Sequence, residues 1–130
     1  MKYLIDTDWV IDHLHQVERV TRRLEELATE GLALSIISLA ELYEGVFYSR
    51  DPEGDERDLQ DFLRSITVLG IDDSTCRIFG RERGRLRATG TLIGDFDLLI
   101  GATALHHNLT LLTNNRRHFE RIDGLRIESL

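Results

Sequence analysis

The spacing of apolar residues predicts an α/β fold, a three-layer α/β/α domain with a central, mainly parallel sheet. Short apolar runs alternate with stretches of helical periodicity, which implies parallel strands joined by right-handed helical crossovers. The runs lack the polar alternation of a half-exposed strand, so both faces of the sheet are expected to be covered. With 130 residues, 42% of them apolar, the chain reads as one domain over residues 1–130 that needs neither disulfides nor a structural metal.

Tyr3-Leu4-Ile5 is the first strand and ends on Asp6-Thr7-Asp8, with a helix expected from Trp9. Val17, Val20, Leu24 and Leu27 recur at three- and four-residue spacing, which predicts an amphipathic helix ended by Gly31. Leu32 to Ile37 is the second strand. Ser38 with Glu41 three residues later forms a capping-box pattern that opens a helix to about Phe47. Pro52 and Gly54 mark an acidic loop around residues 49–56, the one segment expected to be mobile, and Leu59, Phe62, Leu63 and Ile66 mark the next helix face. Thr67 to Ile71 is a short strand, and Asp72-Asp73-Ser74 offer caps for a helix from about Thr75 to Ala88 that Gly80 and Gly84 weaken. A glycine-spaced loop, ATGTLIGDFD, leads into a buried helix over Leu98 to Leu105 that Asn108 closes. Leu109 to Leu112 is a strand, Asn114 to Glu120 a short helical turn and Leu125 to Ile127 the last strand.

Charge and inventory narrow the function. The balance of 16 basic and 23 acidic residues, a net charge of −7, excludes passive coating of nucleic acid, which Lys and Arg drive. The charge is uneven: residues 51–61 carry six acids against Arg57, whereas residues 77–87 carry five arginines against Glu82. The arginine run reads as a phosphate contact or as a solvated face. The lone Cys76 closes no intrachain disulfide, and the early acids Asp6, Asp8 and Asp12 interrupt any signal-peptide core. No apolar run is long enough to span a membrane, and a cytoplasmic location is the expectation.

In a parallel sheet the working site lies at the carboxyl ends of the strands. Asp6 follows the first strand, Glu41 sits in the helix after the second, and Asp97 opens the helix before Leu109–Leu112. Such a sheet can bring these three together although they lie 35 and 56 positions apart. Carboxylates gathered in a crevice repel one another unless a cation occupies it, and all-oxygen ligands suit Mg²⁺ or Mn²⁺. Each acid also has a structural reading as a helix cap: Asp6 or Asp8 before Trp9, Glu41 with Ser38, and Asp95 or Asp97 before Leu98. Asp95 is assigned the cap and Asp97 the metal.

Three segments, YLIDTDWVID at the start, SIISLAELYEGV at 35–46 and IGDFDLLIGATALHHNLTLLTNNRRHFERIDGLRIE at 93–128, resemble the PIN-domain proteins, most closely the VapC-type toxins of type II toxin–antitoxin pairs. The resemblance implies a Mg²⁺- or Mn²⁺-dependent endoribonuclease whose acids correspond to Asp6, Glu41 and Asp97, with Asp6 and Asp97 as the direct ligands. A fourth family position, often Asp, falls on Asn115, whose amide offers an oxygen but no charge. Thr7 and Thr113 stand beside the carboxylates as auxiliary hydroxyls, and Asp95 as an extra acid. Arg116 and Arg117, or the 77–87 arginines, are candidate RNA contacts. The resemblance also implies a cognate VapB-type antitoxin covering the crevice, a toxin homodimer and a toxin–antitoxin hetero-oligomer. Trp9, Tyr43, Phe47 and Tyr48 are candidates for the partner surface or for the core.

Other readings fail on inventory. DTDWV fits the nucleophile motif of haloacid-dehalogenase-type phosphatases, but those enzymes and response-regulator receivers need a downstream lysine, and Lys2 is the only lysine among the 16 basic residues. No P-loop or GxGxxG motif is present. A catalytically weak or inactive module that keeps the fold is the alternative, and Asn115 is the feature that favours it.

Overall fold

In the computed structural model, which describes residues 1–130, β1 (Tyr3–Ile5) runs up the centre of a five-stranded sheet. β2 (Leu32–Ser35) and β3 (Thr67–Leu69) extend it on one side, β4 (Thr110–Leu112) and β5 (Ile127–Glu128) on the other, and every pairing is parallel. Ile5 stands opposite Leu34 and Leu112, and Leu4 opposite Ala33 and Leu111. Side chains alternate across a strand, so this register sorts the sheet into two apolar faces.

The face of Ile5, Leu34 and Leu112 packs against Trp9 and Val10 of α1 (Thr7–Leu14), Val20 and Leu24 of α2 (Glu18–Leu27), Leu42 and Val46 of α3 (Ile36–Phe47) and Leu59 of α4 (Pro52–Leu63). The face of Leu4, Ala33 and Leu111 packs against Leu86 of α5 (Asp73–Ala88), Leu98 and Ile100 of α6 (Asp95–His106) and Phe119 of α7 (Arg116–Phe119). Three layers result, and each fully buried large apolar side chain contributes roughly 1.5–3 kcal/mol. No helix is long and apolar enough to cross a membrane.

Four local expectations are corrected. β2 ends at Ser35 rather than Ile37, and Ser35 caps α3 by accepting the Ile37 N–H at 3.1 Å. The apolar pair Ile36-Ile37 reads as strand but forms the first turn of a helix lying against the sheet. Ser38 and Glu41 are therefore no capping box: Ser38 is fully buried with no partner for its hydroxyl, and Glu41 lies in the second turn. The acidic segment is helix, not loop. Asp51 accepts the Gly54 N–H at 3.1 Å, Pro52 occupies the first turn, and Glu53 and Asp55 complement the positive end of the helix dipole. Asp95 does not cap α6, which begins at Asp95 itself after Gly94; its carboxylate meets Arg83 at 3.0 Å.

Candidate active site

The sheet order places its switch point between β1 and β4, where successive connections leave in opposite directions and a crevice opens at the carboxyl ends. Asp6 ends β1 there and Thr113 ends β4, while α3 and α6 bring Glu41 and Asp97. Asp6 is 5% exposed and caps α1, accepting the Thr7 N–H at 2.8 Å on one oxygen and the Thr113 hydroxyl at 2.7 Å on the other. Thr113 in turn accepts the Asn115 N–H at 3.0 Å. The Thr7 hydroxyl donates to Glu41 at 2.7 Å, so two threonines tie both acids into one network.

Asp97 lies in the first turn of α6, where its Oδ2 stands 3.4 Å from the Asn115 amide nitrogen and 3.1 Å from His118 Nδ1. Asp8, on α1, accepts the N–H groups of Trp9 at 2.8 Å and Asn114 at 3.0 Å. Burial pushes the Asp6 carboxyl up to about 7, with the charges of Asp8 and Asp97 adding to the rise and the Thr113 and Thr7 hydrogen bonds opposing it. Burial also raises Asp8.

The site thus holds a buried carboxylate among like charges, and none of the largest influences on Asp6 comes from a lysine or arginine. No three His, Cys, Asp or Glu side chains converge closely enough to enclose an ion. An ion here would be held by one or two carboxylates and several waters, a coordination that Mg²⁺ tolerates. The unpartnered Ser38 hydroxyl adds a buried polar atom one turn from Glu41, on the same helix face. By donor chemistry the residues fit a hydrated dication.

The other candidates lie outward. Asp95 is engaged by Arg83, and Arg116 by Glu120 at 2.9 Å and Ser129 at 3.1 Å. Arg117 is exposed on α7, two residues from Asn115. In the 77–87 run, Arg77 pairs with Asp73, and Arg81 and Arg85 with Glu82. Trp9 is core, its indole N–H donating to Asn114 Oδ1 at 3.2 Å. Sequence reading leaves His118 out and treats Asp8 only as a cap. The usable signal for His118 is its position three residues after Asn115, one helical turn away.

Replacing Thr113 by Val removes the hydroxyl that holds Asp6 while keeping the β-branched shape. We expect a folded protein and, for a cation held by Asp6, an affinity about 10-fold lower, the usual cost of losing a hydrogen bond behind a ligand. Calorimetric titration of both proteins checks this, and equal affinities would rule out an orienting role for Thr113.

Sheet order and acidic crevice together define a class of small three-layer α/β domains, and the PIN domain model matches residues 3–125. Ribonuclease VapC2 of Haemophilus influenzae is 36% identical over 134 residues, covering 99% of this chain and 98% of its own. The tRNA(fMet)-specific endonuclease VapC of Salmonella typhimurium is 33% identical, with 98% of this chain and 97% of its own covered. Among solved structures, VapBC2 from Rickettsia felis bound to a promoter DNA fragment superposes with a TM-score of 0.94 at 32% identity, covering 100% of this chain and 99% of its counterpart. The chain belongs to the PIN-domain family, in its VapC group.

Proposed function

We propose that this protein is a Mg²⁺- or Mn²⁺-dependent endoribonuclease, the toxin of a VapBC-type pair, which hydrolyses RNA phosphodiester bonds. The observation that carries the reading is the uncompensated Asp6 carboxylate, buried beside Asp8 and Asp97 at the switch point of the sheet. Asp6 and Asp97 would hold the ion, which when bound neutralises charge growing on the scissile phosphate and makes water a better nucleophile. Thr7 and Thr113 keep Asp6 and Glu41 in place, so little reorganisation is needed when substrate arrives. Glu41, tethered through Thr7 rather than buried beside Asp6, is suited to orient the attacking water. Arg117 is free to meet the RNA backbone. In-line attack would leave a 5′-phosphate and a 3′-hydroxyl.

The partner follows from the relatives and one surface. A similar structure belongs to the VapBC family of toxin–antitoxin systems, and here α1, α3 and α4 frame a groove of about 340 Å³ whose lining includes Ile11, Leu14, Leu42 and Val46 together with Glu41, Asp55 and Asp58. Tyr43 stacks on Phe47 at 6.0 Å, and Phe47 and Tyr48 are exposed. An antitoxin seated there reaches the crevice past Glu41, where an arginine would take the place of the cation.

The test is direct. Purified, partner-free protein is incubated with total RNA and Mg²⁺ or Mn²⁺ beside Asp97→Asn, and the product ends are sequenced. Cleavage by wild type and a loss of about 10³-fold in the variant are expected, since ion-mediated charge stabilisation supplies several kcal/mol. Cleavage that survives both Asp97→Asn and chelation would sink the metal-site reading. Asn115 favours the second reading, a weak or inactive binding module, which total inertness of the wild type with RNA and either ion would establish.

A further inference from the structure

The fourth corner of the crevice lacks the acid often found there, but it is not empty of ligands. Asn115 precedes α7 and His118 lies three residues on, so both side chains leave the same face of one helical turn. Phe119, fully buried, anchors that turn, while His118 stays open to solvent. Asp97 Oδ2, the Asn115 amide and His118 Nδ1 form a triangle with sides of 3.0, 3.1 and 3.4 Å.

With the Asn115 nitrogen turned toward the imidazole, as here, hydrogen bonding does not satisfy this triangle. If Nδ1 carries the imidazole proton, it donates to Asp97 but faces the donor N–H groups of the amide. If the proton sits on Nε2, Nδ1 accepts from Asn115 but turns its lone pair on the Asp97 carboxylate. A cation touching all three resolves the conflict. A half-turn of the Asn115 amide presents Oδ1: with the proton on Nδ1 the ring then donates to both oxygens, and with the proton on Nε2 the three groups aim lone pairs at one point, which a cation fills. The spacing fits, because octahedral bonds of about 2.1 Å place neighbouring ligand atoms about 3 Å apart.

We infer that His118 is a metal ligand, forming with Asp97 and Asn115 a nitrogen-bearing face that selects Mn²⁺ over Mg²⁺. The inference rests on the metal-dependent reading of the crevice and sharpens it. Two neutral groups in place of a carboxylate weaken the pull on a hard ion such as Mg²⁺. An imidazole nitrogen favours transition-metal dications, which bind nitrogen better than Mg²⁺ does.

Mn²⁺ is the probe, since its unpaired electrons report a bound nitrogen through ¹⁴N modulation of the electron spin echo. The full-length wild type loaded with one equivalent of Mn²⁺ should show imidazole ¹⁴N coupling. His118→Gln should lose that coupling and bind Mn²⁺ about 10-fold more weakly by calorimetry, with Mg²⁺ affinity changed by less than about 2-fold. Because His118 is partly exposed, the variant should fold, which circular dichroism checks. Mn²⁺ binding that Asp97→Asn abolishes, but without ¹⁴N coupling in the wild type, overturns the role of His118 and leaves the carboxylate site standing. Coupling that persists in His118→Gln overturns it equally. No Mn²⁺ binding, or binding indifferent to Asp97→Asn, overturns the metal reading and this inference together.

Discussion

Asp6→Asn should leave RNA uncut and yet, at pH 8 without divalent cations, melt at a higher temperature than the wild type. Burial holds the Asp6 carboxyl at about 7 in the folded protein, against 3.8 for an ordinary aspartate. A carboxyl raised on folding binds its proton more tightly in the native state than in the unfolded one. Stability is therefore greatest at low pH with respect to this group, declines as pH rises from about 4, and reaches its full penalty above about 7. At about 1.4 kcal/mol per unit, that penalty is on the order of 4 kcal/mol. Asparagine keeps one oxygen to accept the Thr7 N–H and turns its amide NH2 toward the Thr113 hydroxyl oxygen, which can accept from it, and it is uncharged at every pH. A gain of at least about 5 °C is expected for a chain of this size. Adding Mn²⁺ or Mg²⁺ should raise the wild-type melting temperature and leave the variant unmoved, because only a ligand bound to the native state stabilises it. Melting curves at pH 5 and pH 8 with and without cation decide the matter. Equal melting temperatures at pH 8, with no response to cation, would mean that Asp6 is an ordinary helix cap.

That conflict between charge and burial is what made part of the site legible in the sequence. An apolar triplet ending on Asp6-Thr7-Asp8 places acids at a strand end whatever surrounds it, and a second strand followed by a helix brings Glu41 to the same edge of the sheet. The parallel topology follows from the same alternation of runs. Boundaries were less legible, because Ile36 and Ile37 suit a buried strand and a helix packed on a sheet equally well. Only the Ser35 hydroxyl, bonded to the Ile37 N–H, decides between them. The acidic run is ambiguous for a related reason: Pro52 and Gly54 are turn residues, but Pro in the first turn after a capping Asp51 starts a helix. His118 carries only one signal, its spacing of one helical turn from Asn115, since its meaning depends on the fold of residues 113–119 around Asp97.

The second large effect concerns the support of that fold rather than the site. Glu82, 3% exposed on α5, receives Arg85 through Nη2 at 2.9 Å and Nε at 3.2 Å and the Asp123 N–H at 2.9 Å; Arg85 also donates to the Arg121 carbonyl at 2.6 Å. These bonds fasten the turn after α7 to α5, beside the core residues Leu86, Phe119 and Ile122. Glu82→Ala leaves the Asp123 N–H and a partly buried guanidinium without their acceptor. Because Arg85 retains access to water, the cost falls below that of breaking a fully buried pair, at about 2–3 kcal/mol, or roughly 10 °C. Glu82→Gln keeps the volume and one acceptor and should lose less than half of that. The Arg85 hydrogen bonds hold the Glu82 carboxyl below the ordinary glutamate range. For a depressed carboxyl the stabilisation is present above about pH 4.5 and disappears as pH falls through the folded value, so wild type should weaken more steeply than Glu82→Gln on acidification. The same tether holds the segment that presents Asn115 and His118 to Asp97. Glu82→Ala should therefore lose nuclease activity several degrees below its own melting point, where wild type at an equal distance from melting does not. Thermal melts at pH 7 and pH 4, run beside activity against temperature, read both effects. A variant that melts within about 2 °C of the wild type would show that the apolar contacts of Phe119 and Ile122 hold this segment unaided.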